Sequence, residues 1–224
     1  LGYGIYYAIS TVTSAGYDII PGTFAIFRHD YVWLTMVMIG LFIGGIGFPS
    51  LAELYQAHQA KKKNRIFHHT LYFKINMWSY FTILIIGLIA IFVAEHNAFL
   101  VESTGFSGFF DILFQVFSIR SAGFTIMSLD NFNSASKAVF IALMFIGVGP
   151  ASTGGGIRTT TIAVIFISFV ATMRGKENVN IFNRRVSEKS ISAAFMVMTF
   201  ATVLIAFSTA SILFQGPQID FFDA

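Results

Sequence analysis

The stretch Ser14-Ala15-Gly16-Tyr17-Asp18, "SAGYD", lies between apolar segments, and a near copy, Ser121-Ala122-Gly123-Phe124-Thr125, "SAGFT", recurs 107 residues later. Around the first copy, "YYAISTVTSAGYD" (6–18) aligns with "LFQVFSIRSAGFT" (113–125). The same offset places Ile39-Gly40 over Ile146-Gly147. Beyond that point the glycines realign at 110, Gly44-Gly45 over Gly154-Gly155, so the second copy is expected to carry about three extra residues near its middle. Phe221-Phe222-Asp223-Ala224 resembles Phe109-Phe110-Asp111-Ile112, the opening of the second short segment, and reads as the start of a third copy. The repeating unit is expected to be helix, short re-entrant segment, helix. The chain also opens inside an element without an initiator methionine, which reads as a fragment.

Composition sets the solvent. The 224 residues are 55% hydrophobic and 11% charged, with 27 phenylalanines and a mean hydropathy of +0.72; a globular domain carries about 25% charged residues. "LYFKINMWSYFTILIIGLIAIFVA" (71–94) and "SISAAFMVMTFATVLIAFSTASILF" (190–214) each exceed the ~20 residues that cross a bilayer core. Their one charge, Lys74, lies near an end where it can snorkel. Residues 32–48 form a third, shorter candidate. Core helices of this length would need a polar face that these segments lack. The expected class is therefore an all-α membrane protein of repeated helix–pore-loop–helix units. With no cysteine, disulfides and thiolate metal sites are excluded.

Charge placement gives a topology. Of the 14 Lys and Arg, ten gather at two linkers: Lys61, Lys62, Lys63, Arg65 and Lys74, then Arg174, Lys176, Arg184, Arg185 and Lys189. The opposite connections carry Asp18, Asp30, Glu95, Glu102, Asp111, Asp130, Asp220 and Asp223. The positive-inside rule then puts 56–70 and 174–189 in the cytoplasm and both SAG segments toward the outside. Topology accounts for "KKKNR" (61–65), so a nucleic-acid patch is not expected.

The short segments cannot cross. Residues 106–119 supply 14 helical residues, or ~21 Å against ~30 Å of hydrocarbon. A half-membrane helix that returns as extended backbone fits, and such backbone survives at that depth only when buried in protein or lining water. A dehydrated alkali cation needs several oxygen ligands without a trapping charge, and stacked carbonyls supply them. Gly16 and Gly123 would let carbonyls turn toward an axis. Ser14 and Ser121 could add hydroxyl oxygens at the inner end, Ala15 and Ala122 continue each strand, and Tyr17 and Phe124 are expected to pack outward as a cuff. The half-helix before each strand aims its negative end at the ion path.

Together, "TVTSAGYD", "SIRSAGFTIM" and "GPASTGGGIRTTT" resemble the superfamily of Trk, Ktr and HKT potassium transporters, most closely the bacterial membrane-embedded subunit of the Ktr type. That family has four helix–pore-loop–helix units in one polypeptide around a single, potassium-channel-like pore, so this would be a partial chain of a four-unit pore. The resemblance covers the whole chain. It implies that residues 1–55 are the pore helix, filter strand and second helix of unit two. Residues 56–67 and 174–189 would be basic cytoplasmic linkers, 68–173 a complete unit three, and 190–224 the start of unit four. The key filter glycine of each unit falls on Gly16 and Gly123. A serine at the first unit's glycine accompanies sodium selectivity in this family; that unit lies outside the chain, so K+ is the favoured ion, with Na+ as the alternative. The resemblance further implies Na+ dependence in some members, a homodimer in the lipid of the cell membrane, and a cytosolic nucleotide-binding regulatory ring.

Gly149-Pro150-Ala151-Ser152-Thr153-Gly154-Gly155-Gly156 interrupts the expected span 137–173. Pro150 removes a helix donor, and a broken span with a small polar insert points to a gate or binding site. The family resemblance makes it an intramembrane gating loop. Gly149 and Gly154 have the spacing of a phosphate-binding loop, but Gly155 and Gly156 stand where Lys and Ser/Thr are required. Gly147-Val148-Gly149 likewise fails the dinucleotide fingerprint, since Ser152 stands where the third glycine belongs. Arg158, expensive in hydrocarbon, is expected to face protein or water, bonding the loop, repelling cations, or forming a packing ion pair. Arg120 is expected to pin the second strand from behind, and Asp111 to be a helix N-terminal carboxylate. Five histidines show no metal spacing, no catalytic constellation emerges, and neither an enzyme nor an organic cofactor is expected. Two rivals stay open: another secondary transporter with its substrate in the broken helix, which predicts inverted repeats where these run head to tail, and a non-transporting membrane scaffold.

Overall fold

The computed structural model describes residues 2–19, 22–95, 105–175, 179–181 and 184–215. Among these, α1 (Gly2–Val12), α2 (Thr23–Ile26), α3 (Tyr31–Ile46), α4 (Phe48–Lys62) and α5 (Leu71–Ala94) come first. After them come α6 (Phe106–Ile119), a short 3-10 turn (Leu129–Asn131), α7 (Ser134–Phe145), α8 (Thr159–Met173) and α9 (Glu188–Gln215). Among the described residues, β-sheet pairing is confined to Asn180–Ile181 and Arg184–Arg185, antiparallel; the strands of the SAG segments are connecting backbone without sheet pairing. The chain divides into two compact units, Leu1–Thr160 and Thr161–Ala224.

In the first unit, α1 and α6 are the two half-length helices, each followed by a SAG segment. Capping places the longer helices. Asp30 accepts from the Trp33 amide at the start of α3, and the Thr70 hydroxyl accepts from the Phe73 amide at the start of α5. At the N-terminus of α7 the fully buried Glu95 carboxylate accepts from the Asn133 amide at 2.8 Å and the Ser136 hydroxyl at 2.5 Å. A negative group there also meets the positive end of the helix dipole. Gly87 lets α5 and α7 approach, since a Cβ on it would come within 2.9 Å of Leu143.

The second helix of the unit expected over 1–55 is not one straight helix. It bends by 101° between α3 and α4. Gly47 sits in the break with φ +87°, and a Cβ there would run into the Pro150 carbonyl, so the kink needs glycine. Pro49 follows in the first turn of α4, where a missing N–H costs nothing. α4 then continues to Lys62, so the linker expected to begin at 56 is helical for its first half. The expected match of Gly44-Gly45 to Gly154-Gly155 fails too: the first pair lies inside α3, the second inside the loop between α7 and α8.

Two apolar clusters organise this unit, and α6 belongs to both. One face carries Ile112, Val116 and Ile119 against Tyr80, Leu84 and Phe140. Phe114 meets Tyr7, Phe24, Leu34 and Leu41 from the first copy of the repeat. In the second unit, α9 exposes most of its apolar side chains, among them Phe200 at 65% and Phe207 at 72%. Among the described residues, Leu71–Ala94 and Glu188–Ile212 are long and apolar enough to cross a membrane, and a third crossing arises if the bent pair α3–α4 counts as one. Phe221–Ala224, read as the opening of a third copy, lies outside the described residues.

Candidate functional site

Each SAG segment is built from the end of its half-helix. After α1, the Thr13 amide bonds the Ile9 carbonyl at 2.9 Å and the Ala15 amide bonds Ser10 at 3.0 Å. Ser14 and Gly16 then turn to φ +52° and +72°. After α6, the Ser118 carbonyl accepts from the Ser121, Ala122 and Gly123 amides at 3.2, 2.9 and 2.8 Å, and the Ser118 hydroxyl donates to the Phe124 carbonyl at 2.7 Å. The first strand is held differently. Asp18 accepts from the Tyr7 hydroxyl with one oxygen and from the Thr23 amide, at 3.1 Å, with the other.

The structure brings the two strands together. A Cβ on Gly16 would run into the Ala122 carbonyl oxygen, so this residue must be glycine for the backbones to approach. Gly123, φ +77°, has nothing within 4 Å of the same position and borders open space. Phe124 is buried and stacks on Phe24 at 4.2 Å between ring centroids. Tyr17 does not share this packing: it is 73% exposed, against the outward packing expected of it.

The loop 149–156 lies against both strands. The Thr153 hydroxyl donates to the Val12 carbonyl at 2.9 Å and is 3.2 Å from the Ser14 hydroxyl. A Cβ on Gly154 would come within 2.9 Å of the Ser121 side chain. The loop is also tied to the first break. The Gly149 and Thr153 amides donate to Gly45 and Gly44 at 2.9 and 3.2 Å, the Phe48 amide donates to Ala151 at 3.1 Å, and the Tyr72 hydroxyl donates to Pro150 at 3.1 Å. Ala151 has φ +52°, a cost of about 1 kcal/mol for a residue with a Cβ. The neck closes where Gly156, φ +79°, packs on Gly147, whose missing Cβ leaves room for the Gly155 carbonyl. Of the three roles open to Arg158, the geometry gives the first: its guanidinium donates to Gly154 at 2.7 Å and to the Ser152 hydroxyl at 3.1 Å.

Arg120 is 3% exposed, donates to the Tyr80 and Gly147 carbonyls at 3.3 and 3.0 Å, and covers the Tyr80 ring at 4.5 Å. It thus joins α5, the end of α6 and the neck of the loop. Asp111 departs from expectation: it lies beyond the first turn of α6 and pairs with Arg28 at 2.5 Å. The residue that sequence reasoning missed is Asn76. Fully buried in α5, its amide donates to the Ile46 carbonyl at 2.7 Å and the Ser50 hydroxyl at 2.8 Å, while its oxygen accepts from Thr159 at 3.3 Å. It therefore bridges both helix breaks. The signal was a lone amide in an apolar helix, which a membrane interior tolerates only with partners. Among the described residues, no group of three or more His, Cys, Asp or Glu is placed to hold a metal ion.

The chain is 32% identical over 211 residues to the Ktr system potassium uptake protein D of Bacillus subtilis (strain 168), covering 94% of this chain and 46% of that protein. It is 27% identical over 220 residues to the potassium/sodium uptake protein NtpJ of Enterococcus hirae, covering 96% of this chain and 47% of that protein. The chain thus spans about half the length of the curated relatives it matches. Its fold is similar to the crystal structure of the potassium transporter TrkH from Vibrio parahaemolyticus, with a TM-score of 0.78 and 16% identity over 92% of this chain and 44% of that one. The matched family is one of membrane transporters, not enzymes, which accords with a multi-pass protein. With residues 1–224 all matched, the chain belongs to the TrkH family of cation transport proteins.

Proposed function

We propose that this chain forms part of a potassium uptake pore in the cytoplasmic membrane. K+ passes along the backbone carbonyls of Ser14–Tyr17 and Ser121–Phe124, two of the four strands of a selectivity filter, and the loop Gly149–Gly156 with Arg158 gates the path below. The observation that carries this reading is the seat of the loop. One short polar segment touches the inner end of both strands, through Thr153 on Val12 and Ser14 and through Gly154 on Ser121. The open space beside Gly123 and the glycine-only approach at Gly16 suit a path lined by backbone. The names of the relatives supply the ion: potassium for the Ktr system protein, potassium and sodium for NtpJ.

The same names favour two finer assignments. Na+ enters as a coupling ion or as a second permeant ion, and the full-length protein works as the membrane subunit of a system. Beyond what those names say, we take that subunit to be a homodimer in lipid on a cytosolic nucleotide-binding ring. The basic linkers face the cytoplasm and the filter strands the outside. Rubidium uptake into proteoliposomes by the full-length transporter tests the function. A serine Cβ at Gly123 meets no atom within 4 Å, and the φ of +77° there costs a residue with a Cβ about 1–2 kcal/mol. Gly123→Ser is therefore expected to insert with a modest loss of stability yet lose discrimination between K+ and Na+. Unchanged ion ratios in a well-inserted Gly123→Ser protein would rule out the filter assignment.

A further inference from the structure

The contact between Thr153 and the first strand is more specific than an obstruction requires. Val12 is the last residue of α1, and its carbonyl is one of those that a helix end leaves without an intrahelical partner. Thr153 has one hydroxyl proton, which goes to Val12 at 2.9 Å. The Ser14 hydroxyl, 3.2 Å from the same oxygen, must then be the donor in that pair. One side chain thus engages two groups at this end of the strand: it gives its proton to the carbonyl at the negative end of the α1 dipole, and it receives the Ser14 proton, which holds that hydroxyl turned toward the loop. Both oxygens suit a cation, and a cation satisfies them more strongly than a neutral hydroxyl does.

Nothing comparable fixes the loop to the second strand among the described residues, where Gly154 only packs on Ser121. The Thr153 backbone is separately held by its amide on Gly44 at 3.2 Å, so loss of the hydroxyl would leave the loop tethered but not latched.

Resting on the filter reading above, we propose that Thr153 is a cation-displaced latch. While the loop is docked, its hydroxyl proton stands in for the ion at the Val12 carbonyl; a K+ ion reaching that end of the strand takes that carbonyl, with the Ser14 oxygen as a second ligand, and releases the loop. The gate would then be opened from the filter side by its own cargo. Occupancy at the inner end and loop position would be one equilibrium, not two.

A spin label at Gly155→Cys reads the loop in the full-length transporter, because a side chain at Gly155 meets nothing within 4 Å and residues 1–224 contain no cysteine. In proteoliposomes, raising K+ against choline is expected to mobilise the label. Thr153→Val keeps the shape without the hydroxyl and is expected to lower the K+ concentration for half-release about fivefold, the weight of one neutral hydrogen bond. Thr153→Ser is expected to restore the unmodified response. A label that ignores K+, or responds identically in Thr153→Val, overturns the latch. Rubidium uptake by the same vesicles separates the two levels: uptake with a K+-independent label overturns the latch alone, whereas no uptake by the unmodified full-length protein overturns the filter reading and the latch with it.

Discussion

Gly16 and Gly123 occupy matching places in the repeat with nearly the same backbone, φ +72° and +77°, yet their surroundings differ. Against Gly16 lies the Ala122 carbonyl; beside Gly123 there is space. The same substitution should therefore act through different physics at the two sites. At both positions a positive φ costs a side chain about 1–2 kcal/mol, but only Gly16→Ala adds a clash with a backbone carbonyl. It is expected to push the strands apart and lower the thermal stability and rubidium uptake of the full-length protein well beyond Gly123→Ala, whose main effect is on ion discrimination. Thermal unfolding in detergent beside uptake ratios checks this. Both glycines were legible as a pair because a repeat places them at one offset, but their inequality was not, since it depends on a carbonyl 106 residues away in sequence (122 − 16). Tyr17 shows the same limit. Aromatic character suggested a cuff at both positions, and only Phe124 has the Phe24 ring to stack on.

At the scale of elements, the two second helices are broken by different means. A single glycine, Gly47, separates α3 from α4, while residues 146–158 separate α7 from α8. The long break was legible from Gly149–Gly156 and Pro150. The short one was hidden in a run apolar enough to read as one span, although Gly47-Phe48-Pro49 carries the usual punctuation of a kink. Asn76 joins the two breaks, which no pattern within a single helix reveals. Asn76→Leu keeps the volume and strands the Ile46 carbonyl and the Thr159 hydroxyl, at about 1–3 kcal/mol for each group left without a partner. The expected outcome is a lower unfolding temperature together with faster labelling of the loop at Gly155→Cys; unchanged labelling would show that Asn76 does not hold the breaks.

Over the whole molecule, class and repeat were legible because lipid as solvent leaves a coarse record in composition, span length and charge. Which residues meet across the repeats was not, since those contacts join segments separated by much of the chain. The topology gives a direct prediction. Lys63 and His29 are both exposed and are expected to face opposite sides of the membrane. In intact cells expressing the full-length protein, an impermeant maleimide should label His29→Cys from outside and reach Lys63→Cys only after permeabilisation; the reverse pattern would invert the assigned orientation. The placement of α6 has a consequence for biosynthesis. Phe114 completes a cluster whose other members include Tyr7, Phe24 and Leu34 from the start of the chain. A nascent chain that has released residues 7–41 but not residue 114 still lacks the ring that closes that cluster. Partly made chains would thus offer open apolar surface to chaperones or the insertion machinery until residue 114 emerges, and the two repeats mature together rather than in turn.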